Sequence, residues 1–188
     1  MKLILIRHGK TSASAAHVYC GSTDLALSAA GIADLQLKKK NLPYPDAAGF
    51  RIITSGMRRC ETTLSLLYGA LPHETVSDFR EMDFGAFEMR SYAEMRSERE
   101  YLSWIEGDNE ANPTPGGESG AAMRARVLAA TDRVLKTGRD TLIITHGGPI
   151  AAIMAYLFPK ENKNRYEWQP EPGRGYAVDT AQNRYFSI

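Results

Sequence analysis

Cysteine is scarce in this sequence: Cys20 and Cys60 are the two present, and they stand far apart. Neither belongs to a closely spaced Cys or His set, which excludes zinc-finger and related metal architectures. The two thiols are expected to be free in a reducing compartment rather than joined as a scaffold disulfide. Long apolar runs are missing too. Nowhere do about 20 consecutive apolar residues occur, so no membrane-spanning helix is expected. The run before Arg7, Leu3 to Ile6, is too short for the core of a secretory signal, and the expected location is the cytoplasm. Charge of one sign is lacking as well. With a net charge of +1, neither nucleic acid nor an anionic membrane is an expected partner. There is no H-E-x-x-H pair of histidines and no G-x-x-x-x-G-K-[ST] loop, and the glycine pairs 116–117 and 147–148 complete no nucleotide fingerprint. No metal and no cofactor are expected.

What is present is the composition of an ordinary globular protein. The apolar share is 43% and the charged share 24%, over 188 residues. That argues for one domain spanning residues 1–188, large enough to bury its own core. Leu3–Ile6, "FRIITS" at Phe50–Ser55 and "TLIITH" at Thr141–His146 are short apolar runs ending in a polar residue. Such runs suit strands buried on both faces of a parallel sheet. Between them lie helical patterns. Ser28 is a plausible N-cap for "AAGIADLQLKKK", whose three closing lysines suit the negative end of a helix. "MRRCETTLSLLYG" ends in Gly69, a natural stop. Met123, Val127, Ala130 and Val134, at spacings of 4, 3 and 4, make an apolar stripe on a helix over Glu118–Leu135. A further helix is predicted over Ser91–Ile105, followed by an irregular "GDNEANPTPGG", so that 91–117 forms a helix–loop lid. The tail "YAVDTAQNRYFSI" reads as a hairpin about an Asn-containing turn. Strands alternating with helices predict an α/β fold: three layers, α/β/α, around a mostly parallel central sheet.

In open sheets of this kind ligands bind beyond the carboxyl ends of the strands. Arg7 and His8 stand at one such end and His146 at another, each histidine followed by a glycine. A glycine there lets the backbone approach a ligand closely. A lone strand-end histidine is ordinarily a satisfied structural residue; two of them beside an arginine suggest an anion site.

The segments "RHG" at Arg7–Gly9 with Thr11, "GSTDLALSAAG" at Gly21–Gly31, "SGMRRCETT", "REMDFGAFEM" and "THGG" occur in this order. Together they resemble the motifs of the histidine phosphatase superfamily, the phosphoglycerate mutase-like enzymes. That resemblance implies a phosphohistidine mechanism. His8 is the implied nucleophile, its other ring nitrogen held by an acceptor, for which a backbone carbonyl beside Gly9 is the candidate. Arg7, Arg59 and a protonated His146 are implied around the phosphoryl oxygens, where charge spreads in the transition state. Arg59 rather than Arg58 fits, standing four residues after Ser55 and four before Thr63. Glu81 matches the acid that protonates the leaving oxygen and then activates water. Gly9, Thr11, Ser14, Gly21 and Gly147 are the implied phosphate-binding positions. Glu88 is expected to be structural. Glu118 is a competing acid, with a first-turn charge on the long helix as its alternative role.

Departures from the pattern remove no core catalytic group, and those at Lys10 and Ser14 bear on substrate choice. Lys10 replaces a Glu or Gln, Ser14 an Asn, Gly56 an Asp, Ala26 a Pro, Cys60 an Ala and Met89 a Gly. The chain lacks the insertion typical of the mutases and retains an acid segment that short phosphohistidine phosphatases commonly lack. Its motif strings look most like the α-ribazole phosphatase group of cobalamin biosynthesis. The expected activity is therefore metal-independent phosphomonoester hydrolysis on a small phosphorylated metabolite, with α-ribazole 5′-phosphate as the candidate substrate. Two other readings stand beside it: a mutase-like phosphotransfer, and a phospho-ligand binding module without turnover. Tyr19, Tyr92 and Trp104 are candidates to stack on a base, or else core packing. The oligomeric state is left open by the sequence.

Overall fold

The computed structural model describes residues 1–188. Its strands are β1 (Lys2–Arg7), β2 (Arg51–Thr54), β3 (Glu74–Thr75), β4 (Thr141–Thr145), β5 (Gly175–Asp179) and β6 (Arg184–Ser187). The helices are α1 (Ser12–Ala16), α2 (Ala29–Asn41), α3 (Arg58–Tyr68), α4 (Tyr92–Met95), α5 (Arg99–Glu106), α6 (Gly120–Lys136) and α7 (Gly147–Leu157). One six-stranded sheet has the order β3-β2-β4-β1-β5-β6. Pairings among β1 to β4 are parallel, while β5 runs antiparallel to β1 and to β6. This is the expected α/β class with a mostly parallel sheet. No helix is long and apolar enough to cross a membrane.

The continuous apolar runs follow from burial on both faces. Leu3, Leu5, Ile53 and Ile143 enter one core with α6 and α7 residues such as Val127 and Ile150. Their alternates Ile4, Ile6, Ile52 and Ile144 enter a second core with Leu35 of α2 and Leu64 of α3. Period-two alternation thus feeds both sides of the sheet, and each such side chain contributes roughly 1.5–3 kcal/mol on leaving water. Ser28 caps α2 by accepting from the N–H of Gly31 at 3.0 Å. The Met123–Val127–Ala130–Val134 stripe is buried along α6. The tail hairpin forms, with Asn183 in its turn at φ 47°.

Two local expectations are corrected and one strand is not foreseen. The long helix begins at Gly120 with Ser119 as its cap, so Glu118 lies outside its first turn. The single helix over Ser91–Ile105 is two, α4 and α5, separated near Glu98, where Arg90 pairs with that carboxylate. Met95, Tyr101 and Trp104 are all buried, yet on one straight helix Met95 and Trp104 would face opposite ways; the break brings them into phase. The two-residue edge strand β3 is exposed and polar, with no apolar pattern to reveal it.

Candidate active site

The site grows out of one parallel pair. β1 and β4 are neighbours in register, Arg7 opposite Thr145, so the residues that follow them, His8 and His146, emerge side by side. Their rings stand 5.0 Å apart, edge to face. His8 Nδ1 donates to the carbonyl of Gly9 at 2.7 Å, which leaves Nε2 with a free lone pair. Burial first, then the charges of Arg59 and Arg7, push the His8 pKa down to about 3, against the bond to Gly9. The ring is therefore neutral, as a nucleophile must be.

His8 lines a cleft of about 510 Å³ together with Arg7, Lys10, Thr11, Ser14, Cys20, Arg59 and Glu81. Arg7 donates through Nη1 to the carbonyl of Pro170 at 2.9 Å, and its Nε is buried without a partner. Arg59 is almost fully buried and held at three points. Nη1 reaches the carbonyl of Thr23 at 2.8 Å, Nη2 that of Gly21 at 2.7 Å, and Nε the Nδ1 of His146 at 3.2 Å. Glu81 accepts from the N–H of Gly148, in the first turn of α7, at 3.0 Å.

His146 departs from expectation in two ways. It is fully buried behind the cleft rather than in its lining, and it is neutral. Arginine can only donate, so Nδ1 accepts from Arg59 and Nε2 carries the proton, 2.9 Å from Ser55 Oγ. Burial first, then like charge from His8 once it is protonated and from Arg59, Arg7 and Arg126, hold its pKa well below the ordinary value. Its position makes it a support for Arg59.

The two histidines predict a pH effect on folding. Unfolded imidazole protonates near 6.5, while folded His8 stays neutral to about 3. Between those values the unfolded chain binds more protons, so stability falls as pH falls. Going from pH 7 to pH 5 should cost about 2 kcal/mol through His8. Urea midpoints across that range measure it, and His8→Asn should flatten the slope; an unchanged slope would remove His8 as the cause.

Among the other expected positions, Gly9 gives its N–H to Thr63 Oγ1 at 3.0 Å, so that donor is already engaged. Gly21 lines neither the cleft nor the cavity beyond it; its N–H goes to Glu88 and its carbonyl to Arg59. A Cβ on Gly21 would stand 1.6 Å from the carbonyl oxygen of Met82, so only glycine fits there. Thr11 and Ser14 border the cleft, and each caps the other's backbone at the start of α1. Gly147 opens α7 and lies outside the lining, while its neighbour Gly148 holds Glu81. Glu118 is removed as an acid: both its oxygens accept from Arg126, at 2.8 and 2.7 Å. Burial alone would raise its pKa, but Arg126 and the Asp83 N–H outweigh that and lower it. Lys10 borders the cleft, half-exposed, 3.6 Å from Asp34. Arg126, which sequence reasoning missed, also donates to the carbonyls of Asp78, Arg80 and Glu81 and so fastens the acid segment to α6. A lone arginine on the polar side of a helix carries no signal for that.

Past Glu81, which with Val18 and Cys20 borders both spaces, the cleft opens into a cavity of about 820 Å³. Tyr19 lines it. Tyr92 and Trp104 do not: Trp104 packs in the core and Tyr92 is exposed. Of segment 91–117, only Asn109 and Glu110 reach this cavity, so the loop rather than the helices covers it. Burial holds the Cys60 thiol up at about 12, which makes it inert.

The family model of the histidine phosphatase superfamily (branch 1) matches residues 3–186. The chain belongs to that superfamily. This histidine phosphatase is 28% identical to an adenosylcobalamin/alpha-ribazole phosphatase of Salmonella typhimurium, over 97% of this chain and 92% of that one. It is 30% identical to an acid phosphatase of Mycobacterium tuberculosis, over 78% of this chain and 70% of that one. The crystal structure of the alpha-ribazole phosphatase from Shigella flexneri superposes with a TM-score of 0.84 at 27% identity, covering 100% of this chain and 95% of that one.

Proposed function

We propose that this histidine phosphatase is a metal-independent phosphomonoesterase acting through phosphohistidine on a small phosphorylated metabolite, with α-ribazole 5′-phosphate as the candidate. The observation that carries the reading is the fixed tautomer of His8, its Nε2 free in a cleft shared with two arginines and one carboxylate. Likeness to phosphatases along nearly the whole chain supports the substrate class.

In this reading the phosphoryl group lies in the smaller cleft and the alcohol in the larger cavity. Nε2 bonds to phosphorus as the P–O ester bond breaks, and Arg7 and Arg59 take up the charge on the equatorial oxygens. Glu81, at the junction, gives its proton to the leaving oxygen. Its carboxylate then takes a proton from water, which attacks phosphorus, breaks the N–P bond and returns His8 to neutrality. Gly9 holds the ring throughout, so no tautomer change is needed.

Glu81→Gln tests the assignment. A poor alkoxide leaving group needs the proton and should be hydrolysed about 10²–10³-fold more slowly. An aryl phosphate such as p-nitrophenyl phosphate needs little protonation and should lose less than about tenfold. Equal losses on both substrates would show that the proton comes from elsewhere.

A further inference from the structure

The larger cavity is lined by the apolar side chains of Tyr19, Phe84 and Met123 and also by charged groups. Three separate segments meet there at one carboxylate. Glu110 Oε2 accepts from Arg124 Nη1 of α6 at 2.9 Å, and Oε1 accepts from Arg165 Nη1 at 2.9 Å. The loop bearing Glu110 is fastened by its backbone. The carbonyls of Asn109 and Glu110 accept from the N–H groups of Gly120 and Ala121, at 3.3 and 2.8 Å, and so satisfy the first turn of α6. Gly120 leaves room for the carboxylate; a Cβ there would stand 2.7 Å from Glu110 Oε2.

Besides Glu81, which must carry a proton when substrate binds, the charged side chains lining the cavity are Glu110, Arg124 and Arg165. Without Glu110, two guanidinium groups from different segments would border the space where the alcohol lies. Arginines so placed make a clamp for carboxylate or phosphate. With Glu110 present, each arginine already has an oxygen. A second anion on the leaving group would have to displace that carboxylate, or sit beside it.

We propose that Glu110 is a specificity-determining residue: by occupying Arg124 and Arg165 it makes the leaving-group cavity select uncharged alcohols and disfavour substrates carrying a second anion. This rests on the phosphomonoesterase reading, because it needs the alcohol to lie in the larger cavity.

The test uses hydrolysis of 2-naphthyl phosphate, an uncharged-alcohol ester, with 3-phosphoglycerate as the competitor. In Glu110→Gln the inhibition constant of 3-phosphoglycerate should tighten about tenfold, the effect of one unit of charge at close range in a partly screened site. Arg165→Gln removes a cation instead and should weaken the same competitor, by about threefold. Opposite shifts in two independently made variants guard against a fold defect in either one, and a thermal melt of each checks it. A change below about threefold in Glu110→Gln, or shifts of the same sign in both variants, would overturn the proposal. His8-dependent release from 2-naphthyl phosphate by the wild type reports separately on the phosphomonoesterase reading. Its absence would overturn that reading and this inference together.

Discussion

His8→Ala should lose turnover by more than about 10⁴-fold, because it removes the imidazole nucleophile, and the thiol that also lines the cleft, Cys20, has its pKa raised by burial and stays protonated. The arginines alone do not catalyse in-line displacement; they stabilise charge on a group that something must first attack. Two readouts check this. Phosphate release from p-nitrophenyl phosphate, measured in EDTA, should be sustained by the wild type and absent from the variant. An acid-labile phosphoenzyme trapped during turnover should likewise appear only where His8 is present. The substitution removes a side chain whose one hydrogen bond is to its neighbour's carbonyl, so the fold should survive. Binding of inorganic phosphate between Arg7 and Arg59 should persist in the variant and report that survival. Release by His8→Ala within tenfold of wild type would end the covalent scheme. Loss of release from the wild type in EDTA would end metal independence while leaving the nucleophile in place.

The sequence reveals the site's floor better than its supports. Apolar runs ending in Arg7, His8 and His146 are legible because a strand buried on both faces admits little but Leu, Ile and Val. Adjacent parallel strands then deliver their terminal residues to one edge. The tautomer of His8 was readable for a local reason: its acceptor is the next residue's carbonyl. The state of His146 was not, because it depends on Arg59 and Ser55, which arrive from β2 and α3 across a long stretch of chain. Glycine roles are hidden in the same way. A glycine beside a histidine looks like room for a ligand, but at Gly9 the space goes to Leu35, whose Cδ1 would lie 2.5 Å from a Cβ. Met89 shows the converse. It stands where the family pattern has glycine, and the backbone keeps the left-handed conformation at φ 60° despite the side chain. Similarly Gly56, in place of Asp, sits at φ 78°, a conformation that glycine adopts without strain. The break between α4 and α5 lies beyond any local rule, since it is set by where three side chains must be buried.

Glu88→Ala should cut kcat/KM by about 100-fold and stability by about 2–4 kcal/mol, although the residue borders neither cavity. Its carboxylate accepts from five donors: the N–H groups of Gly21, Ser22, Thr23 and Phe84, and the hydroxyl of Thr23. Removing it leaves those donors competing for water in a partly buried loop, which accounts for the stability loss. The activity loss follows from what the loop does. The carbonyls of Gly21 and Thr23 are two of the three groups that hold the Arg59 guanidinium. A loop free to shift by an ångström lets the fork turn away from the phosphoryl oxygens, and misplacement on that scale is enough for a loss of this size. The effect should fall on kcat more than on KM, because Arg59 meets its greatest charge in the transition state. A double-mutant cycle separates positioning from general loosening. If Glu88 acts through Arg59, the double variant Glu88→Ala, Arg59→Ala should be no slower than Arg59→Ala alone. Losses that add would show that Glu88 reaches the chemistry by another route. Glu88→Gln should recover only part of either effect, because an amide retains one acceptor oxygen and turns an NH₂ toward donors that need an acceptor.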